Sequence, residues 1–332
     1  MFVRIDSGQS LHRLLFDCGD GCLSSLTFAD IQAIDVLFFS HLHMDHVGGF
    51  DNFFRCNFSR DAKPNVIFGP PGSGQILQHR FQGYLWNLHQ ELRGTWRICE
   101  VHSDRLQTWR YELVEAFSVA HEEDGKPFHG VLIDAPDFTV EALAMDHLTP
   151  SLAYVVREKP RSNIDVSELQ TLGLRPGPWL KQLKEATPAL EFIEVNGVSH
   201  SVSSLRQSVL TVTPGDSVAY LTDFLMDESA LSRLAETLRG CKIIVCESQY
   251  CRTDQELAQR NYHMTCTLAA EAAKRVGAEE LVLFHLSDRY TPDVWAGMLR
   301  DAQHIFPSTR FPDAWPTRRP GVGNPQASWA VP

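Results

Sequence analysis

The stretch His41-Leu42-His43-Met44-Asp45-His46 constrains this chain more than any other feature. It sets three imidazoles and a carboxylate directly after the apolar run Ile34-Asp35-Val36-Leu37-Phe38-Phe39-Ser40. A buried strand that stops at such a cluster delivers several ligands to one point at a sheet edge, where the following loop can close them around a cation. One histidine alone is an ordinary core or surface residue, but this spacing makes metal binding the economical reading. Gly48 and Gly49 follow at once and free the backbone for a tight turn into a helix expected near Asp51.

This motif resembles the signature of the metallo-β-lactamase superfamily of binuclear metallohydrolases. The resemblance implies an α/β fold class, a four-layer αββα sandwich, and three further ligands in order near strand ends: a lone histidine, a bridging aspartate and a final histidine. His147 stands in Ala144-Met145-Asp146-His147, Asp223 ends Val218-Ala219-Tyr220-Leu221-Thr222-Asp223, and His285 ends Leu281-Val282-Leu283-Phe284-His285. Each of these alone reads as a polar cap on a strand, whereas the ordered set reads as a site. By the same resemblance His41, His43 and His147 would hold one ion, Asp45, His46 and His285 the other, and Asp223 both. Mixed imidazole and carboxylate ligands suit two Zn²⁺ per chain, and Mn²⁺ or iron meets the same ligand chemistry. Asp45 would also orient or deprotonate the attacking water, which a pair of metals makes more acidic.

With 332 residues, 43% of them hydrophobic, the chain can bury a sizeable core. The net charge of −11 argues against broad attraction to polyanions, so any nucleic-acid contact must use a local basic patch. The eight cysteines are scattered, without a Cys-x-x-Cys pair or a disulfide framework, which fits a reducing compartment. No apolar run approaches the roughly 18 residues of a membrane helix, and no basic-then-apolar leader opens the chain. The expectation is a soluble cytoplasmic protein that does not engage membranes.

Strands are expected at Leu11 to Asp17, Val36 to Ser40, Asn65 to Phe68, Leu152 to Val156, Val218 to Asp223, Ile243 to Cys246 and Leu281 to His285. Helices are expected at Ile76 to Arg93, Ser229 to Leu238, Thr267 to Val276 and Thr291 to Ala302, and a loop or hairpin from Val119 to Val131. One hydrolase domain would then cover residues 1–310, with 157–205 inserted in it and a short helix at Val166 to Leu172. Residues 311–332, rich in Pro, Gly and Arg, read as a disordered tail.

Further elements are similar to the ribonuclease Z branch, the endonucleases that mature transfer-RNA 3′ ends. Asp17-Cys18-Gly19-Asp20-Gly21 is similar to its Asp-Cys-Gly-Glu-Gly, and Phe68-Gly69-Pro70 to its Tyr-Gly-Pro. His285-Leu286-Ser287-Asp288-Arg289-Tyr290 resembles its His-Phe-Ser-x-Arg-Tyr. Gly177 and Pro178, followed by Leu180, Lys181, Leu183 and Lys184, resemble the flexible arm that grips the transfer-RNA elbow. His263 matches the histidine that protonates the leaving 3′ oxygen, and Glu247 the glutamate that pairs with it, orients it and raises its pKa. Ser287 and Arg289 would bind substrate, Arg289 with a bidentate fork to a phosphate, although a solvated surface arginine fits its sequence context equally.

The likeness runs from about Leu11 to Tyr290, with departures. The branch's opening strand and Gly-Thr-rich loop have no counterpart at Met1-Phe2-Val3-Arg4, so either a truncated start or a differently built sheet edge is expected. Gly49-Phe50-Asp51-Asn52-Phe53 replaces Gly-Leu-Pro-Gly-Leu, Cys246 stands for a histidine, Phe224 for a threonine, and Asp20 and Cys22 alter the first element. None removes a ligand. The resemblance implies a zinc-dependent endoribonuclease, a homodimer, that cleaves the 3′ trailer of transfer-RNA precursors and leaves a 3′ hydroxyl. The alternative is a related phosphodiesterase acting on small or cyclic phosphodiesters; a non-catalytic nucleic-acid scaffold is disfavoured by the complete ligand set.

Overall fold

The computed structural model describes residues 1–8, 10–187, 189–313 and 315. Among them the chain forms two seven-stranded sheets. The first runs in sequence order through Phe2–Asp6, Leu11–Phe16, Val36–Phe38, Asn65–Gly69, Thr95–Val101, Arg105–Glu112 and His121–Pro127. Its middle strands, from Leu11–Phe16 to Thr95–Val101, are parallel. The second runs Thr309–Arg310, Glu280–Phe284, Ile243–Glu247, Ser217–Leu221, Pro150–Glu158, Phe138–Asp146 and Val131–Asp134.

Aromatic side chains from both sheets interlock between them. Phe16 stacks on Phe38 with ring centroids 4.7 Å apart, and Phe38 on Phe68 at 5.4 Å. From the second sheet Tyr154 meets Phe38 edge-on at 5.3 Å, and Tyr220 lies 6.0 Å from Phe16. Sheets buried on both faces need near-continuous apolar strands, which is why Val36-Leu37-Phe38 and Leu281-Val282-Leu283-Phe284 show no alternation. On the outer face of the first sheet, the helix Phe50–Asn57 turns Phe50, Phe53 and Phe54 into a cluster with Phe81 and Trp96. Outside the second sheet Glu228–Thr237, Cys266–Val276 and Pro292–Ile305 cover a core of small and sulfur-bearing residues, the buried Cys246 among them. These layers are the αββα sandwich. No helix among the described residues is long and apolar enough to cross a membrane.

Several expectations are corrected. The helix expected from Ile76 to Arg93 is Ser73–Phe81 only. Beyond it the chain folds back, the Trp86 indole donates to the Phe81 carbonyl at 2.8 Å, and its ring packs on Phe54, Phe58 and Phe117. Aromatic burial outweighs further helical turns. His121–Pro127, expected as loop or hairpin, is an edge strand paired with Arg105–Glu112. Its charges are cross-strand partners: Glu123 meets Arg97 at 3.2 Å and Arg110 at 3.4 Å. Thr95–Val101 and Arg105–Glu112 lack an apolar run and were not expected as strands. The opening sheet edge is Phe2–Asp6, antiparallel to Leu11–Phe16.

A second compact unit comprises Asp134–Thr139 and Arg157–Asp216. It carries two hairpin-like pairs, Arg161–Ile164 with Leu210–Thr213 and Phe192–Val195 with Val198–Ser201, and the helices Val166–Thr171, Trp179–Glu185 and Val202–Val209. Leu169, Trp179, Leu183, Ile193, Leu205 and Val209 form its own core, so the stretch is a folded element and not a bare linker. At the other end of the chain, Phe311 packs 5.8 Å from Trp315, which reaches Trp295. Residues 314 and 316–332 of the expected disordered tail lie outside the described ones.

Candidate metal centre

Parallel strands of equal register end at the same edge, and here those ends carry the candidate ligands. Leu221, Cys246 and Leu283 are in register across the second sheet. Asp223 therefore follows its strand, Glu247 closes the next, and His285 follows the third on one edge. His147 follows Phe138–Asp146. From the first sheet, His41 lies just beyond Val36–Phe38, and the single turn Met44–Val47 brings His46 inward. The loop after Leu11–Phe16 packs tightly beneath that turn: Cys18 N–H donates to the His46 carbonyl at 2.9 Å and Gly49 N–H to the Cys18 carbonyl at 2.8 Å. A Cβ on Gly49 would come within 2.3 Å of the Gly19 carbonyl oxygen, and one on Gly19 within 2.4 Å of that of Asp45, so neither position tolerates a side chain.

Seven candidates converge in two groups. His41, His43 and His147 can place ligand atoms within 4.8 Å of one another, as can Asp45, His46, Asp223 and His285. Asp223 joins the groups. One of its oxygens lies 3.4 Å from His46 Nε2, 3.8 Å from His41 Nε2 and 3.9 Å from His147 Nε2; the other lies 3.5 Å from His285 Nδ1. Asp45 stands 3.3 Å from His285 Nε2 and 3.5 Å from His46 Nε2. A third grouping of Asp223, Glu247, His263 and His285 overlaps the second.

The residues fit cations, and the tautomers show why. Ser40 Oγ donates its one proton to Asp17 at 2.7 Å, so it accepts from His41 Nδ1–H at 3.1 Å and leaves the His41 Nε2 lone pair facing inward. His147 Nδ1 donates to the Tyr262 carbonyl at 2.7 Å, and His46 Nδ1 to Asp17 at 2.8 Å. Each outer nitrogen is anchored as in metal-bound histidines, and the inner nitrogen remains a donor to a metal. His41 Nε2, His46 Nε2 and His285 Nδ1 are buried without a hydrogen-bond partner, which a native structure tolerates only where something else satisfies them. Burial pushes His41 down to about 3, the neutral ligating form. At His46 burial acts downward too, but the hydrogen bond to Asp17 and the negative charges of Asp17 and Asp223 prevail and raise it to about 11. The carboxylates thus attract positive charge to this point.

His263 Nδ1 lies 3.2 Å from both Glu247 oxygens and 3.9 Å from Asp223. The expectation that a Glu247 carboxylate raises the imidazole pKa is corrected. Burial, then the Asp223 charge, pushes the fully buried Glu247 well up, and burial pushes His263 down to about 4. A carboxyl stripped of water favours its protonated form.

A cavity of about 410 Å³ opens over these groups. Neither Ser287 nor Arg289 lines it: Ser287 N–H donates to the Gln249 carbonyl, and the Arg289 guanidinium lies 5.2 Å from the Tyr250 ring centre. Gly177, Pro178, Lys181 and Lys184 belong to the second unit, with both lysines exposed on Trp179–Glu185. Sequence reasoning missed Gln249, Arg260 and Asn261 in the cavity wall, because only folding brings them there. It also left Asp17 unassigned, although a buried acidic residue at a strand end was a readable signal.

Fold and paired clusters together define a hydrolase of the metallo-β-lactamase fold. A family model described as "Beta-lactamase superfamily domain" matches residues 137–286, and one described as "Anti-Pycsar protein Apyc1" matches residues 6–151. Among solved structures, the metallo-β-lactamase fold protein YhfI from Bacillus subtilis is similar with a TM-score of 0.53 at 17% identity, over 94% of this chain and 88% of that one. Human tRNase Z, short form, is similar with a TM-score of 0.51 at 17% identity, over 87% and 85%. Ribonuclease Z of Deinococcus radiodurans is 49% identical over 315 residues, 95% of this chain and 94% of that protein. That of Geobacillus kaustophilus is 29% identical over 90% of this chain and 85% of its own. The chain belongs to the ribonuclease Z family.

Asp17→Asn keeps the shape of the side chain but removes the charge that holds His46 Nδ1–H, and is expected to weaken metal binding by roughly 10- to 100-fold. Asp223→Ala is expected to reduce occupancy of both positions, since its carboxylate faces both groups. Chelator competition and elemental analysis check both; wild-type affinity in Asp17→Asn removes Asp17 from the site.

Proposed function

We propose that the protein is a binuclear, zinc-dependent endoribonuclease that removes the 3′ trailer of transfer-RNA precursors and leaves a 3′ hydroxyl. The observation that carries the reading is 49% identity to the Deinococcus radiodurans ribonuclease Z across nearly the whole of both chains. His41, His43 and His147 would hold one ion, Asp45, His46 and His285 the other, and Asp223 both. When bound, such ions polarise a phosphodiester and acidify a water molecule. Asp45, solvent-exposed and flanked by His46 and His285, orients that water through a carboxylate oxygen. As water adds to phosphorus, Asp45 takes its proton; the bond to the 3′ oxygen breaks, and the departing oxygen takes a proton from His263. Glu247 sets the ring's orientation through the contact at Nδ1 and can return a proton to it. The 5′ phosphate stays on the trailer.

The second unit supplies the grip on transfer RNA. Its charges nearly cancel in sequence, but the fold sorts them. Lys159 pairs with Asp134, Arg161 with Glu158, and Arg206 caps the helix Trp179–Glu185 through the carbonyls of Leu183, Lys184 and Ala186. Among the described residues, Arg175 and Lys184 have no ion pair, and Lys181 meets Glu185 only at 3.9 Å. These exposed cations, beside Gly177 and Pro178, suit a phosphate backbone. Arg289, steadied on Tyr250, and Ser287 would contact substrate outside the metal cavity. The free state of all eight cysteines supports a cytoplasmic site of action. A homodimer is proposed as well: Leu85 and Leu88, 94% and 80% exposed beside the groove of Phe54, Tyr84 and Trp86, form an apolar patch suited to a second copy.

The direct test incubates the metal-loaded protein with a 3′-extended transfer-RNA precursor and with bis-p-nitrophenyl phosphate. A single cut at the trailer junction is expected; hydrolysis of the small diester alone would move the function to small or cyclic phosphodiesters. His263→Ala is expected to keep its metal yet slow precursor cleavage by roughly 10² to 10⁴. The penalty shrinks with a nitrophenolate leaving group, which needs little protonation, and equal losses on both substrates would contradict the role. Lys181→Glu with Lys184→Glu is expected to raise KM for the precursor much more than for the small diester and to flatten the salt dependence of binding. An unchanged salt slope would remove the second unit from substrate binding. Light scattering is expected to give a dimer mass for the wild type and a monomer mass for Leu85→Glu with Leu88→Glu; a dimer persisting in the variant places the interface elsewhere.

A further inference from the structure

We propose that Arg260 selects a polynucleotide over a small diester by holding the phosphate next to the scissile one, on the leaving-group side. The inference rests on the ribonuclease reading above and assigns that site a specificity residue. Arg260 closes the helix Gln255–Arg260 and lines the same cavity as Asp45, Asp223 and His263. Among the described residues its side chain makes no hydrogen bond or ion pair, although the cavity holds carboxylates. The neighbouring cations are engaged elsewhere, Arg289 over the Tyr250 ring and Arg252 3.9 Å from Asp301. A cation at a helix C-terminus also offsets the helix dipole, but that role uses none of the five guanidinium N–H groups. A free fork at the mouth of an anion-processing cavity is matched to a phosphate.

Its direction follows from the turn that carries it. Tyr262 adopts a left-handed φ of 57°, its carbonyl is held by His147 Nδ1 at 2.7 Å, and His263 N–H is bound to the Ala258 carbonyl at 2.9 Å. Asn261 Nδ2 is tied to the Tyr250 hydroxyl at 2.6 Å. The backbone from 258 to 263 is thus fixed against the site, with Arg260 and His263 on one short turn. In the reaction above His263 faces the departing 3′ oxygen, so Arg260 faces the nucleotide that owns that oxygen. The charge available there on a polynucleotide is the phosphate 5′ of the discriminator nucleotide. A small diester has no such group, and the Arg260 contact is then never made.

The test measures kcat and KM for wild type, Arg260→Ala and Arg260→Lys on three substrates: a 3′-extended transfer-RNA precursor, the same precursor with a neutral methylphosphonate at the phosphate 5′ of the discriminator, and bis-p-nitrophenyl phosphate. Arg260→Ala is expected to raise KM for the plain precursor by about ten- to hundredfold, the scale of a lost charged hydrogen bond, with kcat nearly retained and a much smaller change on the small diester. Arg260→Lys is expected to recover part of the loss. On the methylphosphonate precursor wild type and Arg260→Ala become alike, because the partner is already gone. The salt slope of precursor binding falls by about one. Equal KM changes on precursor and small diester, or a methylphosphonate penalty that adds in full to that of Arg260→Ala, would overturn the proposal while the ribonuclease reading stands. A wild-type protein that hydrolyses the small diester but not the plain precursor would overturn both.

Discussion

The Asp17 carboxylate is the interaction on which the rest depends. One oxygen accepts from the Ser40 N–H at 2.7 Å, and the other from the Ser40 hydroxyl at 2.7 Å, His46 Nδ1 at 2.8 Å and the Tyr220 hydroxyl at 3.0 Å. Ser40 and His46 follow strands of the first sheet, and Tyr220 belongs to a strand of the second, so a single buried anion ties the two sheets together beneath the metal centre. Burial acts to raise its pKa, but the His46 and Ser40 hydrogen bonds prevail and hold it low. An ionised carboxylate away from water is affordable only with this degree of satisfaction. The left-handed φ of 55° at Asp17 is the local cost, one that aspartate bears better than a β-branched residue.

From that anchor the histidines acquire fixed roles. Ser40 spends its proton on Asp17 and therefore reads the His41 tautomer; Asp17 itself reads that of His46; the Tyr262 carbonyl reads that of His147. The inner nitrogens are then preset as lone-pair donors, and Asp223 sits where both groups can share it. Preorganisation of this kind costs folding energy, since His41 Nε2, His46 Nε2 and His285 Nδ1 are buried without hydrogen bonds, and binding a cation recovers it.

In the proposed function, chemistry and recognition fall to different parts of the chain. The sandwich holds the reactive groups on strand ends, where neighbouring strands limit their movement. The unit formed by Asp134–Thr139 and Arg157–Asp216 has its own small core, and Arg175 and Lys184, without an ion pair among the described residues, remain on its surface. A net charge of −11 is compatible with a polyanionic substrate under this arrangement, because affinity for phosphates depends on which cations the fold leaves unpaired and not on the total.

The candidate ligands were readable in the sequence because they cluster just after apolar runs, and the pattern of a buried parallel strand is a local property of the chain. The His-x-His-x-Asp-His turn, His147, Asp223 and His285 follow from that pattern together with the family resemblance. The edge strand His121–Pro127 and the aromatic fold-back after Phe81 were not legible, since both depend on partners distant in sequence, Arg97 and Arg110 in one case and Phe54 and Phe117 in the other. The same holds for the upward shift of Glu247, which comes from burial that no window of sequence reports. By itself the sequence determined which side chains could bind metal and roughly where the strands that carry them stop. Only the tertiary structure decided which nitrogen of each histidine faces inward and that Arg260 reaches the cavity without a partner among the described residues, because hydrogen-bond partners and burial are properties of three-dimensional neighbours.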